Sequence, residues 1–102
     1  MQLIQILLPL YNNENNIFPA DIFTDIRREL TEKFGGITTY SQAPATGLWK
    51  ENEDKTVQDT IITYEVMVDT LDQEWWQHYK AKLEKIFRQE EILIRSWAIQ
   101  VL

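Results

Sequence analysis

The chain has 102 residues, 44% of them hydrophobic and 25% charged, with Lys+Arg 10 against Asp+Glu 16 and a formal charge of −6. That length makes one domain able to bury about two-thirds of its unfolded surface, and the acidic balance argues against a nucleic-acid surface built from clustered Lys and Arg. Cysteine is absent, which excludes disulfides, thiolate metal sites and cysteine nucleophiles.

From Gln2 to Leu10 nearly every residue is apolar, as in a strand covered on both faces. The run is too short to span a bilayer and lacks a basic flank, so it is expected to be a strand and not a signal; the expected location is the cytoplasm, without membrane contact. Tyr11 to Asn16 is a turn-forming loop in which Asn side chains bond their own backbone. Pro19 pre-sets a helical turn, Asp21 favours its positive end, and Ile22, Phe23, Ile26, Leu30 and Phe34 share one helical face.

Gly35 and Gly36 end this helix, since a helix C-terminus favours a residue free to take the left-handed conformation. Because they close a helix and no Lys-Ser/Thr follows, they do not form a phosphate loop. Ile37 to Tyr40 begins an edge strand, which Pro44 and Gly47 interrupt with a bulge or kink. Lys50 to Lys55 is a charged tip leading to a strand of period two. Ile62, Tyr64, Val66 and Val68 form one of its sides, and Ile61, Thr63, Glu65 and Met67 the other.

Asp72 is the expected N-cap of a second helix reaching about Gln89, with Trp75, Trp76, Tyr79, Leu83, Ile86 and Phe87 on its apolar face. A last strand, Ile92 to Leu102, follows a turn that has neither glycine nor proline. The order strand, helix, strand, strand, helix, strand predicts a single α+β domain over residues 1–102. Its architecture is a ferredoxin-like split βαβ sandwich (βαββαβ), with an antiparallel four-stranded sheet ordered 4-1-3-2 and both helices on one face.

Phe34-Gly35-Gly36-Ile37-Thr38, Ala43 to Trp49 (APATGLW), Glu65-Val66-Met67-Val68, Trp75-Trp76, Phe87-Arg88-Gln89-Glu90 and Ile92-Leu93-Ile94-Arg95 span nearly the whole chain. In these segments it resembles a family of short bacterial proteins of unknown function. The resemblance implies a stand-alone bacterial domain and brings no reaction, cofactor or catalytic residue with it.

The face of the sheet turned away from the helices is too apolar to be left wet, with Leu3, Leu7, Met67, Leu93 and Trp97 upon it. Two fates follow from this. In one, two sheets pack as a homodimer around a polar row of Gln5, Glu65 and Arg95; in the other, that row lines a small-ligand cleft. Tyr40 and Trp49 are candidate walls, so Gln5, Tyr40, Trp49, Glu65, Arg95 and Trp97 are the ligand-binding candidates. Glu65 and Arg95 are expected either to pair with each other as a structural ion pair or to hold a ligand together. Trp75 and Trp76 belong to the core, and the single histidine, His78, lies beside the apolar face of its helix. No metal or cofactor is expected.

The function expected is a self-associating module that binds a small ligand or a protein through this face. The alternative, by analogy of fold alone, is a dimeric α+β barrel enzyme of the cofactor-free isomerase or oxygenase type, with a pocket near Glu65 and Arg95. RNA binding would need basic residues beside paired aromatics on the sheet, and the RNP-like pattern is absent.

Overall fold

The computed structural model describes residues 1–53 and 55–102; Asp54, and with it the middle of the charged tip, lies outside the described residues, as do the side chains of residues 42, 43 and 55–57. The elements are β1 (Gln2–Pro9), α1 (Ala20–Phe34), β2 (Thr38–Asn52), β3 (Lys55–Val68), α2 (Gln73–Phe87) and β4 (Ile94–Ala98). Every strand pairing is antiparallel, and the strands form one sheet in the order β2-β3-β1-β4. This is the expected α+β class, with two helices against an antiparallel sheet.

Alternation within β1 and β3 decides which face is covered. Ile4, Ile6 and Leu8 are buried, as are Ile62, Tyr64, Val66 and Val68, and they meet Phe23, Ile26 and Leu30 of α1 and Trp76, Tyr79, Leu83 and Phe87 of α2 in one core. Both helices therefore lie on one face. Their shared end is aromatic: Phe34 stacks on Trp76 with centroids 5.4 Å apart, and Trp75 stacks on Tyr79 at 4.8 Å.

Caps fix where the helices begin and end. The Asp72 carboxylate accepts a hydrogen bond from the Trp75 N–H at 3.1 Å, holding the first turn of α2. Gly35 (φ 83°) closes α1 in the left-handed conformation; of the glycine pair, this one supplies the cap. In α2 the same role falls to Arg88, at φ 51°, which is how that turn manages without glycine.

Three differences from the sequence expectations bear on the site. β1 is covered on one face only, because Leu3, Gln5 and Leu7 on the other face have no helix above them and are half-buried. β2 is the expected edge strand, with its register shifted between Tyr40 and Ala45, but it runs for 15 residues to Asn52 and so takes in the start of the charged tip. β4 is shorter than expected: Ile92 is buried in the core before the strand starts, and Ser96 and Ala98 at the sheet edge are exposed.

Candidate functional site

The uncovered face carries a connected row of polar side chains, one from each strand. Gln5 lies opposite Glu65 on β3 and opposite Arg95 on β4, since β1 runs between those two strands. The Gln5 amide N–H donates to Glu65 Oε2 at 3.1 Å, and the Arg95 Nε–H donates to Gln5 Oε1 at 2.6 Å. From β2, where Tyr40 pairs with Thr63, the phenol reaches diagonally and donates to Glu65 Oε1 at 3.2 Å. The Glu65 carboxylate, by its charge and by accepting this bond, raises the Tyr40 pKa above its ordinary value.

This geometry corrects the expectation that Glu65 and Arg95 touch. With β1 between them they are two strand spacings apart, roughly 10 Å, and the Gln5 amide bridges the gap. An amide suits this place because it accepts on one side and donates on the other. Both Glu65 oxygens are engaged, while Arg95 is exposed and keeps its outer guanidinium N–H groups without a partner among the described residues.

Apolar side chains flank the row on both sides. Leu3 lies between Met67 and Trp97, and the latter two are 54% and 42% exposed. On the other side Leu7 pairs with Thr63, and its N–H donates to the Leu93 carbonyl at 3.0 Å; Leu93 and Tyr40 are both exposed. A cleft of about 950 Å³ opens farther along the same face, where Leu7, Ile61, Leu93, Trp49, Asp59 and the turn from Arg88 to Ile92 come together.

Of the six candidates, Gln5, Tyr40, Glu65 and Arg95 thus form one hydrogen-bonded row, and Trp97 stands beside it. Trp49 belongs to the cleft instead, and the other five do not line it. Sequence reasoning missed Asp59 and the Arg88 turn. Their signal was faint: Asp59 continues the period-two side of Ile61, Thr63 and Glu65, whereas nothing local marks the turn as a wall. His78 is exposed on α2, and among the described residues no group of three His, Cys, Asp or Glu side chains could hold a metal. No helix among the described residues is long and apolar enough to cross a membrane.

No family model and no curated protein matches the chain. Among solved structures it is similar to a phage SAM lyase in complex with S-methyl-5'-thioadenosine, at 12% identity and a TM-score of 0.64, covering 94% of this chain and 79% of that one. The apo state of a phage SAM lyase is similar too, at 10% identity and a TM-score of 0.62, with 94% and 78% covered. At such identities the likeness is one of fold.

Proposed function

We propose that this protein is a self-associating domain that binds a small ligand on the uncovered face of its sheet. The observation that carries the reading is the row Tyr40–Glu65–Gln5–Arg95, arranged in advance by its own hydrogen bonds and flanked by exposed Met67, Leu93 and Trp97. Large apolar side chains around an ordered polar strip offer what a ligand site uses: surface that gains by leaving water, and a few fixed polar groups that set orientation. A second copy placed over the face would cover the apolar flanks and enclose the strip.

The ligand class we propose is an adenosine thioether or sulfonium. Support comes from the similar fold of a lyase that holds S-methyl-5'-thioadenosine, and from the chemistry of the row. Trp97 supplies a ring face for a base, Glu65 an acceptor for ribose hydroxyls, and Arg95 unused donors. Titration calorimetry with S-methyl-5'-thioadenosine tests this. Heat of binding is expected for the wild type, with a loss of at least about tenfold in affinity on replacing Glu65 or Arg95 by Ala, as for removal of one charged hydrogen bond. No heat with the thioether or with S-adenosylmethionine contradicts the ligand class.

An enzymatic reading is favoured by one fact, that both similar structures are of a lyase. Incubation with S-adenosylmethionine and chromatography of the products tests it; release of the thioether that disappears in Glu65→Gln would establish the enzyme, and an unchanged substrate would leave a binding domain.

A further inference from the structure

The cleft beyond the polar row has chemistry of its own. Gly47 pairs with Asp59, and Trp49 follows two residues later on the same side of β2. The indole and the carboxylate are therefore diagonal neighbours on one face, a separation of roughly 7–8 Å between strand positions, and both line the cleft. Gly47 matters here because a Cβ would stand 2.8 Å from Ile61 Cδ1; without it, Ile61 packs down onto the strand and the space above stays empty.

Among the described residues, Asp59 and Glu90 line this space beside Arg88 and the Trp49 indole. The Asp59 carboxylate has no hydrogen-bond or ion-pair partner among the described residues, and burial pushes its pKa up. A carboxylate losing water without gaining a partner is left with an unmet electrostatic demand. Trp49, 46% exposed, presents an indole, which attracts cations better than any other side-chain ring.

We infer that the cleft between Trp49 and Asp59 is a second binding site, for an organic ammonium ion held by the indole face and the carboxylate. A cation there would give Asp59 a partner and cover Trp49. A volume of about 950 Å³ lies in the range of small-molecule pockets. The inference does not depend on the thioether reading, because none of the four side chains of the polar row lines the cleft.

Choline is the probe, with its carbon isostere, in which tert-butyl replaces trimethylammonium, as the uncharged control. Titrations are followed by protein amide shifts in NMR and by Trp fluorescence. Choline is expected to shift residues of the cleft and to bind at least about tenfold more tightly than the isostere, the size of a cation–π contact reinforced by a carboxylate. Asp59→Asn and Trp49→Leu should each lower choline affinity by a similar factor, and Glu65→Gln should leave it unchanged. The inference is overturned if choline shifts nothing in the cleft, if the isostere binds equally well, if both cleft variants bind choline like the wild type, or if Glu65→Gln weakens choline binding as much as they do. Failure of S-methyl-5'-thioadenosine to bind leaves the cleft prediction standing, so the two readings fail separately.

Discussion

Gln5 shows how one residue changes the meaning of its neighbours. Two opposite charges on a sheet face suggest an ion pair, yet the strand order places β1 between Glu65 and Arg95, so an amide that can accept from one and donate to the other fills the gap. With β1 and the Gln5 amide between them, the two charges lie roughly 10 Å apart, which keeps their direct coupling small. In a double-mutant cycle by denaturant unfolding, Glu65→Ala and Arg95→Ala should be additive to within about 0.5 kcal/mol; coupling of several kcal/mol would mean a buried pair. Tyr79 is the opposite case. Its hydroxyl is buried with no partner among the described residues, and burial, with the Glu29 charge second, drives its pKa well upward. The comparable Tyr64 hydroxyl accepts from Arg27 at 3.0 Å. Tyr79→Phe should therefore raise stability by about 1 kcal/mol in the same assay, since it removes a desolvated group that gains nothing in return.

The elements divide into those that local chemistry dictates and those that tertiary packing dictates. The alternation of β3, the apolar stripes of both helices and the Asp72 cap were all readable, because each is a repeat or a cap with its own local cause. Less readable were the burial of Ile92 ahead of β4, where the Glu84 carboxylate accepts from the Ile92 N–H at 3.0 Å and from the Lys80 ammonium at 2.5 Å, and the Arg88 cap, which puts a non-glycine residue in the left-handed conformation; neither has a periodic signal. The cleft was hidden for a different reason, since its walls come from segments far apart in the chain, β2, β3 and that turn. Gly35→Ala should cost about 1–2 kcal/mol, the penalty for a left-handed residue bearing a Cβ, whereas Gly36→Ala, where an added Cβ meets open space, should not; comparison of unfolding midpoints separates them. The bond from Lys80, and then that from the Ile92 N–H, lower the Glu84 pKa below 4.5. In that window the unfolded chain binds more protons than the folded one, so stability rises with pH and this contribution is complete above the ordinary carboxylate range. Glu84→Gln should accordingly lower the melting temperature at neutral pH, with the difference from wild type shrinking as pH falls through and below 4.5.

At the scale of the molecule, the helices cover one face of the sheet and leave the other open. A sheet with one solvated face is ordinary when that face is polar; here Tyr40, Met67, Leu93 and Trp97 stand exposed around a hydrogen-bonded row. The alternation of β1 and β3 already separated the two faces, so the apolar character of this one was readable, while its partner had to be inferred. In our account that partner is a second copy of the chain. Light scattering of the purified protein at micromolar concentration tests this most directly. Twice the 12.2 kDa of the chain is expected for the wild type, with a return to the single-chain mass when Trp97 is replaced by Glu; a wild-type mass of 12.2 kDa would contradict the dimer.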